Sequence, residues 1–175
     1  VLPNLKQEHI KKAFGSQDNF FNIIKKIAEN KKPIFKTRKK QWMPEEIKKY
    51  ASEIVYDGQK MYPPSIADLL KRSCCVVMFN SSGVYECVLS GNYVFNIRLP
   101  SSVWRWDQNK LNKYFGSIVY NKSAVVETVE QKDILNGSWK FEQKTIDKEK
   151  SKEWTDQIIG NCESSAEKIA KDIIQ

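Results

Sequence analysis

Histidine is almost missing from this chain. The single residue, His9, lies in a lysine-containing stretch near the N-terminus. Ser-His and Cys-His hydrolases, His-dependent nucleases and multi-histidine metal centres all need imidazoles held against converging partners, so the sequence argues against each of them. Glycine is scarce too: the seven residues form neither G-x-G-x-x-G nor G-x-x-x-x-G-K, which removes the commonest phosphate-cradling loops. The four cysteines, Cys74, Cys75, Cys87 and Cys162, lack the C-x-x-C spacing of a zinc site and are too few to staple a chain of 175 residues. They predict free, mostly buried thiols. A bridge from Cys74 or Cys75 to Cys87 would require an oxidising compartment.

Long apolar runs are absent as well. The longest, Cys74 to Phe79, is strand-sized, so no transmembrane segment is expected. Carboxylates form no cluster beside a glycine turn: Glu45 and Glu46 read as the first turn of a helix, and Glu127 and Glu130 as a strand and its end. No catalytic residue, metal ligand or cofactor follows from these patterns, and the chain leans away from being an enzyme.

What is present is an uneven charge. Residues 1–72 carry 16 Lys and Arg against 8 Asp and Glu, whereas residues 73–175 carry 13 of each, so the net +8 belongs to the first portion. The sharpest local feature is the acid-free stretch Lys31 to Trp42, with Lys31, Lys32, Lys36, Arg38, Lys39 and Lys40 around Phe35 and Trp42. Basic side chains interleaved with aromatic rings suit single-stranded nucleic acid, because phosphates attract cations and every base offers a π-face. Trp104, Arg105 and Trp106 form a second candidate contact on the same grounds. A solvated lysine-rich loop, and large aromatics closing the end of a core, are the plainer explanations of these two stretches.

Periodicity divides the chain in the same place. Asn4 and Gln7 predict a capped helix through Ile10 and Phe14, stopped by Gly15. Asp18 or Asn19 opens a second helix with its stripe at Phe20, Phe21, Ile24, Ile27 and Ala28. Residues 31–43 read as a connector, Pro44 to Gly58 as a third helix, and Ser65 to Leu70 as a short fourth. Beyond residue 72 the period changes. Val76 to Phe79, Val84 to Leu89 and Tyr93 to Leu99, separated by Ser-Gly turns, predict a three-strand antiparallel meander. A helix over Asp107 to Phe115, strands at Ile118–Tyr120, Val125–Val129 and Ser138–Ile146, and a long amphipathic helix over Ser151 to Ile174 follow. Asn80, Asn121 and Asn136 each open an N-x-S acceptor pattern, but all lie in predicted turns, where Asn and Ser are common anyway.

The expected architecture is therefore a single α+β domain over residues 1–175. It has N-terminal helices, an antiparallel sheet of about five or six strands, and a long C-terminal amphipathic helix packed on that sheet. Residues 1–72 form the basic helical portion and 73–175 the charge-neutral sheet and helix. The expected function is a non-catalytic binding module contacting an anionic partner, with nucleic acid held through its phosphates as the first choice. The same features fit a second class, an exported or envelope bacterial protein acting in assembly or protein interaction. The start at Val1 rather than Met predicts that something has been removed, by signal cleavage, by processing or by trimming. Free thiols would place the chain inside the cell, and a signal peptide before Val1 would place it in the periplasm or outside.

Overall fold

The computed structural model describes residues 2–3, 6–29, 31–38, 43–57, 65–103, 107–116 and 123–158. Helix α1 spans Gln7–Phe14 and α2 spans Gln17–Ala28. Gly15, at φ 76°, ends α1 in a backbone conformation that L side chains rarely adopt. The expected caps shift slightly. Helix α1 begins after Lys6 without a side-chain cap, and α2 is capped by Ser16, whose Oγ accepts from the Asn19 amide at 3.0 Å. Asn19 Nδ2 also donates to the Phe14 carbonyl at 2.9 Å, so one residue fixes the corner between the helices.

The basic connector and third helix give way to a strand–helix–strand unit. Strand β1 spans Ile34–Arg38, α3 is a single turn over Glu45–Lys48, and β2 spans Glu53–Asp57. β1 and β2 pair in parallel, from Ile34 opposite Glu53 to Arg38 opposite Asp57. Pro44 and two acids do start a helix, as their dipole preference dictates, but it lasts one turn. Ile54, Val55 and Tyr56 are β-branched or aromatic, and they take the extended form once β1 offers a ladder. The other edge of β1 receives the Leu2 amide, which donates to the Lys36 carbonyl at 3.0 Å.

Helix α4, Ser65–Lys71, leads into a second sheet of β3 (Cys75–Met78), β4 (Tyr93–Ile97) and β5 (Val126–Val129), in that order. Both pairings are parallel, Val76 facing Val94 and Val94 facing Val126. The chain is a mix of helix and strand, as expected, but the antiparallel sheet of five or six strands is overturned. Its middle meander strand is helix α5, Val84–Leu89, which carries the chain back so that β4 runs parallel to β3. Val-Tyr-Glu-Cys-Val-Leu has strand-like composition. Its burial at Val84, Cys87 and Val88, however, follows the i, i+3, i+4 rule of a helix face. The expected strand at Ser138–Ile146 is irregular chain, and Ile118–Tyr120 lies outside the described residues. A 3₁₀ turn at Ser101–Val103 and helices α6 (Gln108–Phe115), α7 (Gln131–Asn136) and α8 (Lys148–Ile158) complete the described elements. Helix α6 falls within the expected Asp107 to Phe115, with Asp107 serving as its cap by accepting from the Lys110 amide at 2.8 Å. Helix α8 is the described part of the expected C-terminal helix; residues 159–175 lie outside the description.

Apolar side chains leave the two faces of this sheet in opposite directions. Tyr93, Phe95, Ile97 and Val129 pack with Ile10, Phe14, Phe20 and Ile23 of the first two helices. Val76, Met78, Val94 and Val126 pack with Val84 and Val88 of α5 and with Trp154 of α8. A strand buried on both faces reads as nearly continuous apolar sequence, the signature of a parallel sheet covered twice. The identity of α5 has a direct test. An extended Val84–Leu89 would place Cys87 and Leu89 on one face and Val88 on the other, whereas the helix buries Cys87 and Val88 together and leaves Leu89 57% exposed. Val88→Ala should cost about 2 kcal/mol in chemical denaturation. Leu89→Lys should stay within about 0.5 kcal/mol. A large loss for Leu89→Lys would restore the strand.

Candidate functional site

Half of the basic run sits around one cavity. Lys31, Lys32 and Lys36 line a space of about 470 Å³ between β1, α2, α4 and the outer edge of β3. Arg72, just beyond α4, lines it too and pairs with Glu53, Nη1 to Oε2 at 3.2 Å. The alternation of β1 turns Phe35 inward and buries it, while Lys36 is half-buried and Arg38 exposed at the strand end. Phe35 is thus part of the core and offers no stacking platform. Lys31 Nζ stands 5.8 Å from the centroid of the Phe141 ring. Lys39, Lys40 and Trp42, and the whole Trp104, Arg105 and Trp106 candidate, lie outside the described residues. Arg72 carried no signal in the sequence, because its approach depends on how α4 meets β3.

Two thiols share this cavity. Cys74 is exposed and Cys75 half-buried, with their Sγ atoms 3.8 Å apart. Cys87 is buried on the opposite face of the sheet, so no bridge links it to either. Burial pushes the Cys75 and Cys87 thiols up to about 12, which disfavours their thiolate forms at neutral pH.

The carboxyl ends of β3, β4 and β5 form a second polar region. Asn96, in the middle of the buried strand β4, is 0% exposed and needs partners. Its Oδ1 accepts from the Asn80 amide at 2.8 Å, and its Nδ2 donates to Asn80 Oδ1 at 3.1 Å. Asn80 adopts φ 43°, alone among described non-glycine residues in taking a positive φ, a conformation Asn tolerates better than most. The loop onward to α5 is closed by the Gly83 amide donating to Ser81 Oγ at 3.2 Å. Because the Asn80 side chain is buried and paired, its acceptor tripeptide is not available in the folded chain. At the neighbouring strand ends, Arg98 pairs with Glu130 at 3.2 Å. Gln131 Nε2 donates to the carbonyls of Arg98, at 2.8 Å, and Ala13, at 3.0 Å.

Glu127, in β5, is the most heavily coordinated acid among the described residues. It accepts from Trp139 Nε1 at 3.0 Å and Tyr93 Oη at 3.4 Å, and pairs with Lys144. The Lys144 ammonium also lies over the rings of Tyr93 and Phe95, 5.2 and 5.5 Å from their centroids. Burial alone pushes the Glu127 carboxyl up, but hydrogen bonds from Lys144 and Trp139 outweigh it and hold it below the usual range. The same carboxylate raises Lys144, against the opposing pull of burial. Three donors from Tyr93, Trp139 and Lys144 converge on this carboxylate, and they fasten the irregular segment 139–146 across the sheet.

The folded carboxyl is lowered, so Glu127 contributes stability above the ordinary carboxylate range, and that contribution is lost as pH falls through its depressed pKa. In Lys144→Met, titration of Glu127 followed by carboxyl NMR should move upward, and acid unfolding should begin at higher pH. An unchanged Glu127 titration would show that Lys144 does not hold it.

No family model, curated protein or solved structure matches the chain, so its own side chains carry the functional assignment.

Proposed function

We propose that the chain is a non-catalytic binding module for an anionic partner, with nucleic acid held through its phosphates as that partner. The observation that supports it is the grouping of Lys31, Lys32, Lys36 and Arg72 around one cavity. Cations that line one space add their fields where a ligand would sit, whereas the same charges spread along a solvated loop are screened separately. Arg38 is exposed at the end of β1 and is followed in sequence by Lys39 and Lys40.

Binding of a single-stranded oligonucleotide should weaken steeply between low and physiological salt. Replacing Lys31, Lys32, Lys36, Arg38, Lys39 and Lys40 together by Gln should flatten the log–log salt slope by about 0.7 for each phosphate that is no longer neutralised. Absence of binding at low salt would overturn the reading, as would an unchanged slope in the variant.

A second reading rests on a different observation, the parallel sheet and its braced loop. Parallel α/β sheets receive ligands in the crevice at the carboxyl ends of their strands. In this chain a non-glycine residue with positive φ sits at that edge, fixed by two hydrogen bonds with Asn96. On this reading the ligand is a small phosphate ester, and a nucleoside diphosphate is the probe. Amide shifts confined to residues 80–83 and 98–131 on adding it, and their loss in Asn96→Leu, would favour this edge over the lysine rim. Shifts confined to residues 31–38 would reject it.

A further inference from the structure

The cavity carries a second property that phosphate binding does not use. Its walls are apolar, with Ile24 and Ile27 from α2, Phe35 from β1, Leu69 and Leu70 from α4, and Phe79 beyond β3. Its volume, about 470 Å³, falls among ligand pockets, which span roughly 300–1,000 Å³. Its charged lining is all of one sign: Lys31, Lys32, Lys36 and Arg72, with no carboxylate among the described residues that line it. Glu53 draws on Arg72 from outside the lining, and the exposed Lys31 and Lys32 stand at the cavity rim as the head-group side. An apolar chamber rimmed by cations selects a molecule with an apolar body and one negative end. A bare phosphate or a nucleic-acid backbone would leave the apolar walls unused.

We propose that this cavity binds an aliphatic carboxylate of medium chain length, its chain against Ile24, Ile27, Leu70 and Phe79 and its carboxylate at Lys31, Lys32 and Lys36. The assignment shares the cationic rim with the nucleic-acid reading but does not depend on nucleic acid. Lysine ammoniums suit this role because their long stems lie along apolar surface while the charge stays at the water boundary. The Lys31 ammonium stands 5.8 Å from the centroid of the Phe141 ring, and both residues line the cavity.

The test is calorimetric titration of the whole chain with octanoate, decanoate and decyltrimethylammonium, each below its micelle concentration. Decanoate should bind about tenfold tighter than octanoate, because two further methylenes are buried. Decyltrimethylammonium, with the same chain and the opposite charge, should bind at least about tenfold more weakly than decanoate. Ile27→Trp, which fills the chamber from the half-buried face of α2, should abolish decanoate binding and leave the oligonucleotide salt slope intact. Should that variant unfold, Lys31→Gln with Lys32→Gln provides a surface alternative that weakens decanoate without touching the core. No decanoate binding, equal binding of the anionic and cationic amphiphiles, or no dependence on chain length would each overturn the proposal. Loss of decanoate binding alone leaves the nucleic-acid reading standing, whereas loss of both amphiphile and oligonucleotide binding removes the cationic rim as a site.

Discussion

Strand β4 has no solvent side, and most of the structure follows from that. All five residues from Tyr93 to Ile97 are buried, with β3 on one edge and β5 on the other. Parallel neighbours on both edges satisfy the backbone, so the remaining requirement is apolar cover on both faces. One face takes α1 and α2, the other α5 and α8. A parallel partner also requires a crossover, which is why Val84–Leu89 is a helix rather than the next rung of a meander. The amide side chain in the strand, Asn96, has to be satisfied inside the core. It is satisfied by Asn80, whose positive φ fixes the shape of the loop that leaves β3.

Both candidate sites inherit their positions from this arrangement. The outer edge of β3 is left open by β4, and α4, α2 and β1 close around it to make the chamber where the lysines gather. The loop at the carboxyl end of β3 is held by the buried Asn96 amide through two hydrogen bonds with Asn80. Glu127 and Lys144 belong to neither site. They fasten the segment after α7 over Tyr93 and Phe95, using a carboxylate whose lowered pKa reports how fully it is engaged.

What could be read directly from the residues was local. Gly15 as a stop, the stripe from Phe20 to Ala28, the helix ending at Phe115 and the strand ending at Val129 all depend on neighbours within a few positions. Strand direction was not legible, because Val, Tyr and Cys in Val84–Leu89 suit a strand as well as a buried helix face. Only the partner strand, contributed by residues far along the chain, decides between them. The same reason hid β2: Ile54 and Val55 fit a helical stripe until β1 pairs with them. At the site, Lys31, Lys32 and Lys36 were visible as a run, but Arg72 was not, and Phe35 changed role from stacking surface to core. The cluster around Glu127 joins residues from two strands and an irregular segment, so no spacing announces it. Alternation along Tyr93 to Leu99 reads as one buried and one wetter face, with Asn96 on the wetter one; the second layer of helices buries it instead.

The measurement that bears most directly on this account is the pattern of interstrand proton contacts around β4 in solution. Parallel pairing predicts amide-to-α-proton contacts linking Val94 and its neighbours to β3 around Val76 and to β5 around Val126, with sequential helical contacts through Val84–Leu89. Close α-proton to α-proton contacts between residues 76–79 and 84–89, the mark of an antiparallel hairpin, would contradict the fold and with it the position of both candidate sites.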